Sequence, residues 1–127
     1  MTNLEILKST YEGAVEEKVL NLQKHLDKNV TWKEAEGFPY SGTYIGFDEV
    51  VKLFIHLGND WIDYKIDVED FVVDGDKIVA YGTYSGINKK TNKSFEARVA
   101  HLFKFKNAKI ISYEQFVDSQ KVIQAMQ

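Results

Sequence analysis

Eleven residues, Phe95–Phe105 (FEARVAHLFKF), alternate between two faces without a break. Phe95, Ala97, Val99, His101, Phe103 and Phe105 share one side of an extended chain, and Glu96, Arg98, Ala100, Leu102 and Lys104 share the other. A period of two held for that length predicts a strand with one face on a core. The neighbouring sequence extends the pattern. Tyr64, Ile66 and Val68 alternate in one phase, whereas Phe71 and Val73 are in the other. A β-bulge is therefore expected near Glu69-Asp70, the irregularity that curves a sheet around an interior. Val73-Asp74-Gly75-Asp76 reads as a turn into a strand over Lys77–Ile87, and Asn88–Lys93 as a polar hairpin tip. Lys106-Asn107-Ala108-Lys109 turns the chain into a last strand, Ile110–Val117. Its facing stays open, because Ile110 and Phe116 lie in one phase and Tyr113 and Val117 in the other. Asp118 can cap a short helix carrying Val122, Ile123 and Met126.

The first half reads differently. Thr2 or Asn3 can cap an opening helix whose stripe is Leu4, Leu7, Tyr11, Ala14 and Val15. A second helical stretch, Val19–Leu26, is ended by Asp27-Lys28-Asn29. Whether these form one bent helix or two is open, since Glu16-Glu17-Lys18 contains no breaker. A strand follows over Val30–Glu36, then a segment punctuated by Gly37, Pro39 and Gly42. Asp48 reads as the N-cap of a helix with Val50, Val51, Phe54 and Leu57 on its apolar face and Gly58 as its stop. Helices, one strand, a helix and then long antiparallel strands make an α+β pattern, with the helices on one face of a curved sheet.

At 127 residues the chain is read as one domain, 1–127, able to bury roughly two-thirds of its unfolded surface. A single proline leaves no room for linkers or low-complexity segments. The net charge of −3 gives no electrostatic reason to expect nucleic acid or an anionic membrane as partner. With no cysteine, disulfides, thiolate catalysis and Cys-based zinc sites are excluded. The opening residues lack the apolar core of a signal peptide, and no apolar run approaches the ~18 residues a bilayer span needs. A cytoplasmic location is expected.

The candidate chemistry begins at Val30–Glu36. Val30, Trp32, Glu34 and Glu36 share a face, so the parity that buries Val30 and Trp32 sends both acids inward. A carboxylate on a buried face is paired, protonated or at the mouth of a pocket. In an apolar wall Glu34 would have a raised pKa and could move a proton between carbons of an enolisable ketone. Glu36, at roughly 6–7 Å along the same strand face, would push one pKa further. His101, alone on an apolar face, is either a satisfied core histidine or a donor into a pocket. Tyr11 is likewise either a core aromatic or a donor. Asp118 is either a helix cap or a hydrogen-bond partner for His101. Two Trp, seven Tyr and eight Phe in so small a domain would suit a flat, apolar ligand, lined by Trp32, Phe38, Tyr40, Phe54, Trp61, Tyr81, Phe103 and Tyr113. No His-x-His or His-Glu-x-x-His spacing supports a metal, no glycine-rich phosphate loop is present and no serine sits in an elbow motif, so no cofactor is expected.

The run TYEG…HLDKNVTWKEAEGFPYSGTYIGFDEVVKLF, the Asp74-Gly75-Asp76-Lys77 hairpin, FEARVAHLFKF and KIISYEQFVDS together resemble the SnoaL-like branch of the nuclear transport factor 2-like superfamily, which also holds the ketosteroid isomerases. The likeness covers nearly the whole chain, and Trp32–Tyr40 (WKEAEGFPY) is its specific part. Two departures stand out: Glu16-Glu17-Lys18 replaces a frequent Gly-Asp turn, and Asn107-Ala108 a usual Asp-Gly turn. The resemblance implies a cone-like barrel with a pocket open at one end, and a homodimer through the outer sheet face. It places Glu34 near the base carboxylate of ketosteroid isomerases, His101 near their oxyanion-stabilising acid and Tyr11 near their tyrosine. The superfamily serves many chemistries, so the site must carry the functional argument. Three readings follow: a cofactor-independent isomerase or cyclase type of enzyme, a non-catalytic binder of a small apolar molecule, and a dimeric interaction module.

Overall fold

The computed structural model describes all 127 residues. Helix α1 (Asn3–Ser9) opens with a capping box: Thr2 accepts from the Glu5 amide, and the Glu5 carboxylate accepts from the Thr2 amide. The chain then breaks at Thr10–Ala14 before α2 (Val15–His25). Gly13 makes the break. Its φ of +89° lies in the left-handed region, and a Cβ there would sit 2.7 Å from the Glu17 carboxylate. There are thus two helices, and the break falls just before Glu16-Glu17-Lys18. Val15 is exposed rather than on the apolar stripe, and Leu26 belongs to the first strand.

Strand β1 (Leu26–Glu34) begins four residues earlier than expected and ends at Glu34. The Asp27-Lys28-Asn29 run, expected to end a helix, lies inside it. A short β2 (Gly42–Ile45), not foreseen, pairs antiparallel with β1. Helix α3 (Phe47–Asp60) starts behind Gly46, so Asp48 lies inside the helix and not at its cap, and the helix continues past Gly58. Glu49 reaches back to accept from the Ile45 amide at 2.7 Å. Strands β3 (Trp61–Asp74), β4 (Lys77–Asn88), β5 (Ser94–Lys106) and β6 (Lys109–Val117) follow, then α4 (Ser119–Ala125).

The six strands form one curved, unclosed sheet in the order β2-β1-β6-β5-β4-β3. All neighbours are antiparallel except β1 and β6, which are parallel. The helices contribute Ile6, Leu7, Leu22, Val50, Leu53, Leu57, Val122 and Ala125 to the same buried cluster as the inward residues of the strands. No helix is long and apolar enough to cross a membrane.

Curvature has a local cause. The β3–β4 register shifts between Val68 and Asp70, where the phase change predicted a bulge, and again between Ile62 and Lys65. Opposite the first bulge Gly82 has no side chain, and the β3 backbone comes down onto it. On β5 the expected faces hold: Phe95, Ala97, Val99, His101, Phe103 and Phe105 are all buried. The β6 facing resolves as Ile110, Tyr113 and Gln115 inward and Phe116 outward, made possible by an extra residue in β6: Lys104 faces Ser112 and Phe105 faces Ile110, which leaves Ile111 unpaired. The Asn107-Ala108 turn takes φ of 51° and 61°, the pair of left-handed residues that a two-residue hairpin needs.

Candidate functional site

Glu34 is the last residue of β1, and the alternation that buries Val30 and Trp32 buries it too, at 4% exposure. Its Oε1 accepts from Trp32 Nε1 at 3.3 Å, while its Oε2 is buried with no partner in the protein. Burial pushes the carboxyl up to about 7, only partly offset by the indole N–H. Glu36 does not join it. The strand has ended, the alternation is lost, and Glu36 is exposed. The expected pair of inward acids is a single buried acid.

His101, in the middle of β5, is buried and hydrogen-bonded at both ring nitrogens. Tyr11 Oη lies 2.6 Å from Nδ1, and Tyr84 Oη lies 2.7 Å from Nε2. Burial holds its pKa down at about 3, so the imidazole is neutral near pH 7. Tyr11 follows α1 in the break before α2, so a residue outside the helix reaches the inner sheet face. Two groups read as parallel donors are in fact bonded to each other. Asp118 stands at the N-cap position of α4, yet its side chain makes no cap bond; it is exposed, and His101 finds its partners elsewhere.

The network continues through residues that the sequence reading passed over. Gln115 donates through Nε2 to Tyr84 Oη at 3.2 Å and accepts from the Ala35 amide at 3.1 Å, tying the residue after β1 to β6. Tyr64 on β3 has a buried hydroxyl without a partner. Burial above all, then the nearby Tyr84 hydroxyl and Glu34 carboxylate, hold the Tyr64 phenol well above its ordinary pKa, and burial followed by Glu34 raises Tyr84 and Tyr113 likewise. Glu34, Tyr64, Tyr84 and Tyr113 therefore converge on one region of the interior. One signal was available: Tyr84 shares the parity of Ile78 and Ala80, which puts it inward on β4.

Aromatic residues form the walls. Trp32 stacks on Tyr113, with ring centres 3.7 Å apart, and Phe54 and Phe103 meet the Trp32 ring edge-on. Phe38 and Tyr40 are buried in the loop after β1. Tyr40 donates to Asp60 at 2.6 Å and accepts from Trp61 Nε1 at 2.8 Å, which pins that loop to the end of α3 and the start of β3. Tyr81 is the exception. Its parity on β4 is opposite to that of Tyr84, so it faces the outer side of the sheet and lines nothing near Glu34. Two shallow surface depressions, one along Tyr64, Gly86 and Phe95 and one at the β4–β5 hairpin and α4, include neither Glu34 nor His101. Both the acid and the imidazole are buried, at 4% and 5% exposure. No group of three or more His, Asp or Glu side chains is arranged to hold a metal ion.

An open α+β sheet curled over helices, with a lone acid buried among aromatics, defines a nuclear transport factor 2-like domain. Residues 9–113 match the sequence profile of the SnoaL-like domain, and the chain belongs to that family. No curated protein matches it. Among solved structures, a nuclear transport factor 2-like protein from Burkholderia thailandensis is 35% identical over 100% of this chain and 98% of its own, with a TM-score of 0.94. TerC, crystallised with polyporic acid, is 17% identical over 98% of this chain and 97% of its own, with a TM-score of 0.85. A ketosteroid isomerase-like protein from Catenulispora acidiphila, in complex with trimethylamine, is 15% identical over 98% and 93%, with a TM-score of 0.80. The last two likenesses concern the fold.

Proposed function

We propose that this chain binds a small, flat, hydrophobic molecule at Glu34 and uses Glu34 to move a proton on it, without a cofactor. The observation that carries this reading is the pair of buried polar atoms, Glu34 Oε2 and Tyr64 Oη, left without partners in one aromatic-walled region. Leaving such groups unmade costs about 1–3 kcal/mol each, so a partner from outside the protein is favoured there. The chemistry suits a ketone. A carboxyl poised near 7 takes a proton from the carbon beside a carbonyl and returns it at a similar free energy, while a phenol O–H holds the carbonyl oxygen as charge develops. The ligands in two structures of this fold, polyporic acid and trimethylamine, support a small-molecule role.

The test uses 2-acetylnaphthalene, a flat aryl ketone, with proton–deuterium exchange at its methyl group followed by NMR in D2O. The protein is expected to accelerate exchange, and Glu34→Gln to lose at least about 100-fold of that rate while ketone affinity changes less than threefold. A wild-type rate equal to buffer, with binding retained, would leave the non-catalytic binder as the reading.

We also propose a homodimer through the outer sheet face. Val72 and Phe116 are each more than half exposed there, and Val79, Tyr81, Ala100 and Leu102 lie between them on adjacent strands. That band is apolar across four strands and is flanked by charge, including the Arg98–Glu69 pair and Lys33 with Glu114 at 3.8 Å. Light scattering is expected to give twice the chain mass, and Phe116→Glu to return a folded monomer. A monomeric wild type at 100 µM would remove the assignment.

A further inference from the structure

Counting protons along the His101 chain singles out one hydroxyl. Gln115 Oε1 accepts from a backbone N–H, which fixes the amide so that its Nε2 donates to Tyr84 Oη. His101 is flanked by two phenols, and a neutral ring has one N–H to give and one lone pair to receive. The Tyr11 hydroxyl has no protein acceptor other than His101 Nδ1. If Nδ1 carried the proton, the Tyr11 O–H would be left without an acceptor and Tyr84 would spend its own proton on Nε2. If Nε2 carries it, Tyr11 donates to Nδ1 and Nε2–H donates to Tyr84 Oη, and the one proton left over is that of Tyr84, which has the Glu34 carboxyl and the Tyr64 and Tyr113 hydroxyls near it. A phenol oxygen has two acceptor positions, and Tyr84 then fills both, one from His101 and one from Gln115.

We infer that Tyr84 carries the single uncommitted proton of this network and presents it toward Glu34 and Tyr64, as the donor to a ligand's carbonyl oxygen, with His101 and Gln115 as positioning residues. The arrangement has a chemical consequence. An oxygen that accepts two hydrogen bonds is a stronger donor through its own proton, because the accepted bonds stabilise the charge that builds on it. His101 thus acts one step from the ligand, by fixing the direction of the Tyr84 O–H, and Tyr11 acts one step further by fixing the histidine tautomer. The ligand part of this inference rests on the small-molecule reading above; the donor direction does not.

Two measurements decide it. Long-range proton–nitrogen NMR on ¹⁵N-labelled wild type, with signals assigned through His25→Gln and His56→Gln, reads the His101 tautomer directly. The expected result is one tautomer, protonated at Nε2. Protonation at Nδ1 would overturn the inference, since Tyr11 would then hold the spare proton. Tyr84→Phe is then compared on two probes of like shape, 2-acetylnaphthalene and 2-ethylnaphthalene, by quenching of tryptophan fluorescence. Affinity for the ketone is expected to fall about tenfold and that for the hydrocarbon to stay within twofold. Equal losses for both would reduce Tyr84 to a packing role and overturn the contact with ligand. Failure of the wild type to bind either probe would overturn the small-molecule reading, while the tautomer still decides where the free proton lies.

Discussion

Gly82→Ala is expected to destabilise the protein by about 3 kcal/mol and to lower its melting temperature by about 10 °C, although the added group is one methyl on a strand. A Cβ at Gly82 would lie 1.9 Å from the Asp67 carbonyl oxygen, 2.8 Å from its carbon and 3.0 Å from Val68 Cα. All three are backbone atoms, so no side-chain rotation relieves the contact. Either β3 separates from β4 or the bulge between Val68 and Asp70 unwinds. Because β3 also carries Tyr64, the damage reaches the Glu34 region, and ligand affinity is expected to fall with stability. Gly58→Ala supplies the contrast. That position is within α3 with open space around it, and alanine there is expected to add up to about 1 kcal/mol through helix propensity. Thermal melts of the two variants check both signs. A Gly82→Ala protein melting within 1 °C of wild type would mean that the sheet curls without needing the close approach.

The same bulge shows what alternation can disclose. The shift of phase from Val68 to Phe71 was visible because side-chain parity changes with every residue, and the β5 faces were visible for the same reason. Parity also placed Glu34 inward. It failed at Glu36 and Tyr81 for different reasons. The period continued to Glu36 runs past the point where the strand stops, and nothing in Glu34-Ala35-Glu36 announces that stop. Tyr81 belongs with the wall by residue type alone; its own strand alternates and sends Tyr84 inward instead. The pairing of Tyr11 with His101 joins residues 90 positions apart and depends on the break at Gly13, so no local pattern could reveal it. The parallel contact between β1 and β6 is likewise a long-range choice, made by burial of both strands and not by the sequence of either. Residue type marks candidates and parity marks faces, but a hydrogen-bonded chain that joins β4, β5, β6 and the break after α1 is set only by the tertiary fold.

The pH profile of stability is expected to be flat between about pH 4.5 and 6.5 as far as Glu34 and His101 are concerned, because their opposite shifts cancel there. Glu34 moves from an ordinary 4.5 up to about 7. The folded state therefore holds a proton that the unfolded state has released, and stability falls as pH rises from 4.5 to 7, by about 3 kcal/mol in all. His101 moves from 6.5 down to about 3. Here the unfolded state takes up the proton first, so stability falls as pH drops from 6.5 to 3, by about 5 kcal/mol. Removing one group exposes the other. Glu34→Gln is expected to stabilise the protein above pH 7 by up to about 3 kcal/mol, less any loss from its changed hydrogen bonding, and to convert the flat region into a rise from pH 4.5 to 6.5. His101→Gln, if folded, should show the reverse slope over that interval. Denaturant midpoints at half-unit pH steps measure both slopes with the transition steepness as an internal check. A Glu34→Gln profile parallel to wild type would show that Glu34 titrates at its ordinary value in the folded state, and a proton-shuttling role for it would then lack its physical basis.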